Sequence, residues 1–194
     1  VAKAFSILDN GVTQLQERVS QAYESLNLAA TDTLCRHFLL PYFHKWQLQE
    51  SEIGLHIINR PSPDCVELVL NKEAQLAVVN DYEGLRDNPQ LEVTTLATIQ
   101  DVFVGGPDYK GAGFFDQGRL LNEPILLLHK GSASRTFFDD VTHGACRKPR
   151  FELGSVDVLL ALVEINMGIS MLPNHVVQQK MQEGTVVRID TDIP

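Results

Sequence analysis

The chain has 194 residues, 44% of them hydrophobic and 21% charged, and its formal net charge is −9. This length and composition fit one large globular domain or two small ones. The acidic balance argues against direct binding of nucleic acid, which needs clustered Lys and Arg. No apolar run is long enough to span a membrane, and the first residues do not form a signal peptide.

Sequence motifs for catalysis or metal binding are absent. The six histidines form neither HExxH nor HxxxH, and no GxSxG motif occurs. Cys35, Cys65 and Cys146 are odd in number, widely spaced and without a CxxC motif, which favours reduced thiols in a cytosolic protein. We therefore expect a cytoplasmic protein without a metal, a cofactor or enzymatic activity.

The first residues carry an apolar stripe at helical spacing. Its positions alternate in steps of three and four, as in a two-helix seam, at Phe5, Leu8, Val12, Leu15, Val19 and Ala22. This spacing predicts a helix that pairs with a second copy of the chain. A helix packed onto its own domain would fit the same stripe.

Strands and helices then alternate. Apolar runs predict strands at residues 26–29, 53–58 and 76–79, and helices at 34–47 and 64–71. Such alternation favours a parallel sheet with right-handed crossovers. The polar segment 81–90 is expected to be a surface loop, and residues 91–96 an extended crossing segment.

A second unit of the same kind is expected from residue 101 onwards. Its predicted strands cover residues 101–104, 125–128, 151–153, 169–172 and 185–189, with a Gly-rich loop at 105–118 and helices at 134–142 and 156–167. The fold class is therefore α/β, with two units.

The segment 154–173 has the clearest signals. Ser155 is a good helix N-cap, and the apolar residues after it recur at helical spacing up to Met167. Asn166 or Gly168 can take the left-handed conformation that ends a helix, and a short strand closed by Pro173 follows. The run Thr31-Asp32-Thr33 repeats this device, because it starts a helix directly after a strand.

Three ordered motifs resemble the effector-binding region of LysR-type transcriptional regulators. They are Leu-Leu-Pro-Tyr-Phe at 39–43, Ala-Gln-Leu-Ala-Val-Val at 74–79, and the segment 162–173. The chain departs from the family pattern at Asn166, where Gly is usual, and at Gln75-Leu76-Ala77, where the family has a triplet with Asp. Asn tolerates left-handed geometry, so the turn at Asn166 is expected to survive.

The resemblance implies a bilobed, type 2 periplasmic-binding-protein-like fold with an effector between two lobes. Residues 1–23 would end a linker and dimerisation helix, 24–95 form lobe I, 96–190 form lobe II, and 191–194 begin a return toward lobe I. The family also implies a dimer or tetramer, with DNA bound only through a helix-turn-helix domain before Val1. No contact with a membrane is expected.

Candidate effector contacts lie at turns that follow predicted strands, where helix amides and hydroxyls converge. They are Thr31, Asp32, Thr33, Pro61, Ser62, Asn80, Ser132, Gly154 and Ser155. Either Ser132 or Ser134 must cap the helix that follows them, which leaves the other for a ligand. Arg60 favours an anionic group on a small polar effector. Each of these residues could instead serve only as a cap or a tight turn.

Three other functions remain open at this point. A transport solute-binding protein shares the bilobed architecture, but the apolar stripe at the start of the chain speaks against it. An enzyme on this fold would need an acid, base or nucleophile between the lobes. A homodimerising domain with a vestigial cavity is the third alternative.

Overall fold

A computed structural model describes residues 25–48, 53–146 and 148–193. These residues divide into two compact units, the first ending at Thr98 and the second beginning at Ile99. One unit contains a three-stranded sheet and the other a five-stranded sheet. The predicted helical seam at residues 1–23 and the last residue, Pro194, lie outside the described residues.

The first unit is a parallel sheet, as predicted. Strands β1 (Ser25–Ala30), β2 (Gly54–Asn59) and β3 (Leu76–Val78) lie in the order β2-β1-β3, and both pairings are parallel. The central strand β1 is covered on both faces, because Leu28 and Ala30 belong to one buried cluster and Ala29 to another. Burial on both faces explains why its apolar residues form a continuous run.

Two helices connect these strands. Helix α1 is made of three consecutive segments, Asp32–Leu34, Cys35–Leu39 and Leu40–Leu48, and the middle segment is a π-helical turn. Helix α2 covers Ser62–Leu70 and buries Cys65 and Val66. Both helices were predicted, although α2 begins two residues earlier than expected.

The segment after β3 contains a short 3₁₀ helix, Leu85–Asp87, within the predicted surface loop. Arg86 pairs with Asp81 at 2.8 Å across this loop, and both side chains are about half exposed. Gln75, one of the residues that depart from the family pattern, has a clear structural role. Its side-chain carbonyl accepts a 2.8 Å hydrogen bond from the Asn27 backbone amide, so an amide here fastens the turn before β3 to β1.

The second unit does not repeat the all-parallel arrangement that we expected. Its strands follow the order β6-β5-β7-β4-β8, with β5 parallel to β6 and β7 but β4 antiparallel to β7 and β8. Their bounds are β4 Asp101–Gly105, β5 Ile125–Leu128, β6 Phe151–Leu153, β7 Ile169–Pro173 and β8 Val187–Arg188. The expectation was wrong because apolar periodicity reports burial and carries no information about strand direction.

Among the described residues of this unit, four helices accompany the sheet, and two of them were not predicted. The predicted pair is α4 (Ala133–Val141) and α5 (Val156–Glu164), while α3 (Gln117–Asn122) and α6 (Asn174–Glu183) are additional. The expected Gly-rich loop at 105–118 therefore contains the start of α3, along with a 3₁₀ turn at Pro107–Tyr109. The closing strand is also shorter than the predicted 185–189.

Helix α5 and strand β7 form the predicted helix-to-strand segment. Four of the five predicted apolar positions of α5 are buried, namely Val156, Leu159, Leu160 and Val163, and Met167 packs against the same core. The helix stops at Glu164, and Asn166 and Gly168 both have positive φ, 62° and 155°. Asn166 also accepts a 3.0 Å hydrogen bond from the Asp108 amide through its side chain, a contact that Gly could not make.

The core of the second unit has two layers, one on each face of the sheet. One layer includes Val104, Leu159 and Val163, and the other includes Phe115, Phe138 and Ile169. No helix in the described part of the chain is long and apolar enough to cross a membrane.

Candidate functional site

The predicted contacts of the first unit lie at one edge of its sheet. Ala30 at the end of β1 is in register with Asn59 on β2 and with Val78 on β3. Since all three strands run in the same direction, their carboxyl ends share this edge. Thr31, Ser62 and Asn80 follow these strand ends within three residues, so the structure brings them to the same edge.

Thr31 caps helix α1, as predicted. Its hydroxyl accepts a 3.2 Å hydrogen bond from the Leu34 amide, and its backbone is extended. Asp32 and Thr33 occupy the first turn, with Asp32 exposed and Thr33 partly exposed. A hydroxyl that accepts one hydrogen bond still has its own proton to donate. Capping therefore leaves Thr31 able to bind an acceptor group of a ligand.

Ser62 is not in a turn, contrary to the prediction, because it begins α2. Pro61 at the N-cap and Pro63 in the first turn suit a helix start, where a missing N–H is no loss. The Ser62 hydroxyl accepts a 3.1 Å hydrogen bond from the Asn80 amide. Two predicted contacts therefore hold each other, and the Ser62 proton remains available for donation.

Arg60 and Asn59 complete this edge. The Arg60 guanidinium is exposed and donates to the Asn59 carbonyl at 2.8 Å. The Asn59 side-chain amide, which sequence reasoning overlooked, lies 3.3 Å from both the Ala30 carbonyl oxygen and the Cys35 Sγ. Burial raises the pKa of the Cys35 and Cys65 thiols, so both are neutral thiols at pH 7.

The second unit also gathers its predicted contacts at a carboxyl edge. Strands β5, β6 and β7 end there, at Leu128, Leu153 and Pro173. Because β4 is antiparallel to β7, it begins at this edge, with Asp101 in register with Pro173. The edge therefore contains an acid that the sequence analysis treated only as the start of a strand.

Ser132 is the residue that caps α4. Its hydroxyl accepts a 3.2 Å hydrogen bond from the Arg135 amide. Ser134 is therefore the serine that does not cap the helix, and the contact of Ser132 with a ligand stays a prediction. Burial raises the pKa of the Asp101 carboxyl, and the Ser134 side chain lowers it in part.

Gly154 and Ser155 stand at the end of β6. The Ser155 hydroxyl accepts a 3.4 Å hydrogen bond from the Val158 amide and caps α5, as predicted. A Cβ at Gly154 would lie 3.1 Å from Cδ2 of His129, so a side chain there would press on the turn after β5. The His129 amide itself donates to the Leu153 carbonyl at 3.0 Å, which ties these two turns together.

A buried arginine supports this edge. Arg135 is only 5% exposed. Its guanidinium donates to the Leu128 carbonyl at 3.1 Å, to Glu152 at 3.0 Å and to Asp139 at 2.9 Å. The hydrogen bond from Arg135 holds the pKa of the Glu152 carboxyl below its usual range. The network fixes the ends of β5 and β6, and nothing in the periodicity of the sequence indicated it.

The chemistry of both edges is that of hydrogen-bond recognition. Within residues 25–48, 53–146 and 148–193, no three His, Cys, Asp or Glu side chains are placed to hold a metal ion. Four capping or bridging hydroxyls can each donate a proton, those of Thr31, Ser62, Ser132 and Ser155. Two exposed cations, Arg60 and Lys130, precede Ser62 and Ser132 by two residues in the chain.

Several solved regulatory and effector-binding domains have a similar fold. The regulatory domain of HypT from Salmonella typhimurium aligns with 87% of this chain and 79% of its own, at 14% identity and a TM-score of 0.66. The cofactor-binding domain of the Cbl transcriptional regulator aligns with 86% of this chain and 73% of its own, at 19% identity and a TM-score of 0.71. The effector-binding domain of QuiR, solved in complex with shikimate, aligns with 88% of this chain and 81% of its own, at 16% identity and a TM-score of 0.68.

A search of curated protein sequences found no significant match. The sequence profile of the LysR substrate binding domain, in contrast, matches residues 20–194. This match confirms the resemblance and the bilobed periplasmic-binding-protein-like α/β fold, and it does not favour the transport alternative. The chain belongs to the LysR substrate binding domain family, and it is the effector-sensing domain of a LysR-type transcriptional regulator.

Proposed function

We propose that this domain binds a small polar effector with an acceptor-rich group, such as a carboxylate, at the carboxyl edges of its two sheets. The main support is the set of hydroxyls that cap or bridge at these edges and still have protons to donate. The proposed contacts are Thr31, Asp32, Thr33, Pro61, Ser62, Asn80, Ser132, Gly154 and Ser155. The effector would lie between lobes formed by residues 24–95 and 96–190.

The effector would act by favouring one arrangement of the lobes. A ligand shifts a conformational equilibrium only by its difference in affinity for the two states. We infer that the domain works as a homo-oligomer in the cytoplasm and reaches DNA through a helix-turn-helix domain that precedes residue 1 in the whole regulator. The function requires no catalysis, and we infer that the domain is not an enzyme.

A thermal-shift screen of organic acids and amino-acid derivatives tests the binding function. A ligand at a hundredfold excess over its Kd should add about 2.7 kcal/mol to the free energy of unfolding. Because Thr31 is both cap and proposed contact, removal of its side chain would confuse helix stability with binding. Thr31→Asp avoids this problem, since Asp is an equally good N-cap but replaces the donor with a negative charge.

Thr31→Asp should weaken any anionic ligand at least about tenfold, whereas Thr31→Ser, which keeps both cap and donor, should stay within about threefold. Unfolding in the absence of ligand serves as the control for the cap and should differ little between the two variants. A ligand bound equally tightly by both variants would remove Thr31 from the site.

A further inference from the structure

His129 lies between the two turns that carry the proposed contacts of the second unit. Its carbonyl accepts a 3.2 Å hydrogen bond from the Ser132 amide, and its own amide donates to the Leu153 carbonyl at 3.0 Å. The backbone of His129 is therefore tied both to the turn before α4 and to the turn before α5. It is not among the contacts predicted from the sequence.

The imidazole ring of His129 lies against the turn before α5. Its Nδ1 faces Oε1 of Glu152 at 3.8 Å. Its other edge is turned to Gly154, since a Cβ on that residue would lie 3.1 Å from Cδ2 and 3.6 Å from Nε2. The missing side chain of Gly154 thus makes room for the ring, and the ring brings Nε2 next to the turn that contains the cap Ser155.

The charged cluster behind this ring has an excess of negative charge. The buried guanidinium of Arg135 is shared between two carboxylates, Glu152 at 3.0 Å and Asp139 at 2.9 Å. A proton on His129 would balance the carboxylate charge that Arg135 leaves uncompensated. The other charged side chains on the surrounding elements are Lys130 beside His129, Asp157 in the first turn of α5 and Asp101 at the start of β4.

A purely structural role would make the ring an ion-pair partner of Glu152. The ring is 61% exposed and stands beyond hydrogen-bond distance from that carboxylate, and exposed pairs of this kind contribute little to stability. Arg135 already joins Glu152 to the Leu128 carbonyl, so the ends of β5 and β6 are held without the imidazole. The exposed ring is therefore available to a ligand.

We propose that His129 binds the anionic group of the effector through Nε2, and that the imidazolium is the form that binds. This inference rests on the proposed function, in which the same group accepts hydrogen bonds from Ser132 and Ser155. Because Glu152 faces Nδ1, the ring offers Nε2, which protonation makes a charge-assisted donor. The affinity for an anion then rises as the pH falls through the range in which histidine gains a proton.

Pairs of a carboxylate and its neutral amide test this recognition of charge. The probes are acetate, L-lactate, benzoate and 3-phenylpropionate, each with its primary amide, and these acids stay ionised between pH 6 and pH 8. Titration calorimetry should find at least one acid bound at least about fivefold more tightly at pH 6 than at pH 8, while its amide gains nothing. In His129→Asn the affinity for that acid should stay within about twofold across this range, because Asn cannot gain the charge.

His143→Asn is the matched control and should keep the full pH dependence. His143 is exposed beyond the carboxyl end of α4, and Asn tolerates its φ of 52°. If an acid binds the unmodified chain without pH dependence, or if His129→Asn keeps that dependence, the role of His129 is overturned and the proposed function stands. If none of the acids binds, both are overturned.

Gly154→Ala tests the position of the ring without changing any charge. The added Cβ would press on Cδ2 of His129, and Gly154 is not among the residues with positive φ, so its backbone admits Ala. At pH 6 this substitution should weaken acid binding at least about threefold in the unmodified chain and less than about twofold in His129→Asn. Equal losses in both backgrounds would show that Gly154 acts without the ring, and would overturn the placement of Nε2 at the site.

Discussion

Asp101 is a residue whose surroundings oppose its negative charge. Its carboxylate sits where burial opposes ionisation, and Ser134 provides only partial compensation. Groups with this property concentrate at binding and catalytic sites, because a site must keep polar groups ready for a ligand. The neighbouring Arg135 is the opposite case, since each of its hydrogen bonds is internal and supports the fold.

Asp101→Asn should therefore stabilise the free protein at neutral pH. The folded state has the higher pKa, so its stability relative to the unfolded state falls as pH rises above the ordinary value of 3.8. Asn cannot ionise, so the cost of burying a charge at this position disappears. Thermal unfolding between pH 3 and pH 8 should give a Tm gain that is largest at neutral pH and disappears at the acidic end. A gain that is independent of pH would contradict this explanation.

At the level of elements, each helix-to-strand or strand-to-helix junction follows local chemistry that can be read in the sequence. Ser155, Thr31 and Ser132 begin helices as N-cap preferences predict, and the apolar stripe of α5 is buried as its spacing predicts. The turn from α5 to β7 depends on Gly168, which has a φ of 155°. A Cβ there would fall against the Pro124 carbonyl oxygen, which accepts the amide of Ile169.

Gly168→Ala should lower the free energy of unfolding by at least about 2–4 kcal/mol, because both the backbone conformation and the space exclude a side chain. Gly184→Ala is the matched control. Gly184 has a φ of 76° at the end of α6, but no described atom lies within 4 Å of the added Cβ. It should cost only about 1–2 kcal/mol. Urea unfolding of both variants measures the difference, and equal losses would show that the contact with Pro124 is unimportant.

The parts of the fold that sequence reasoning missed have weak or non-local signals. Helix α3 contains Gly118 and only six residues, so its Asp116 cap was hidden within a Gly-rich run. Helix α6 is mostly polar and begins directly after Pro173, which provides no side-chain cap, although Gly184 marked its end. The antiparallel direction of β4 depends on contacts with β7, which no local pattern encodes.

The candidate site was predictable to a similar extent. Caps such as Thr31 and Ser155 could be found because they satisfy a local rule of helix starts. The position of Asp101 could not be found from the sequence, because its place at the edge follows from the direction of β4. An acid at the first position of an otherwise apolar strand was the only available signal.

For the whole molecule, the main consequence of the family assignment is that sensing must be passed to another part of the regulator. The domain itself carries a net charge of −9, which does not favour contact with DNA. The apolar stripe from Phe5 to Ala22, if it forms a helix, is the natural means of joining two copies. The pairing of this stripe stays a prediction.

Leu8→Glu combined with Leu15→Glu should weaken self-association at least about tenfold, since it would bury two charges per chain in an apolar seam. Sedimentation velocity of the unmodified chain and of this variant measures the change. The control is Gln14→Glu with Gln16→Glu, which adds the same charge at neighbouring positions outside the stripe. If the unmodified chain sediments as a monomer, or if both variants dissociate equally, the stripe is not the seam.

The capping hydroxyls also bear on how such a domain could diverge in evolution. Thr31, Ser132 and Ser155 each hold the amino end of a helix while facing the edge where we propose that the effector binds. The residues that can cap a helix, namely Ser, Thr, Asp and Asn, differ in whether they offer a donor, a negative charge or an amide. A single substitution within this set could therefore change ligand preference while the helix stays intact. New effector specificities would then be within reach of one mutation, without passing through an unstable intermediate.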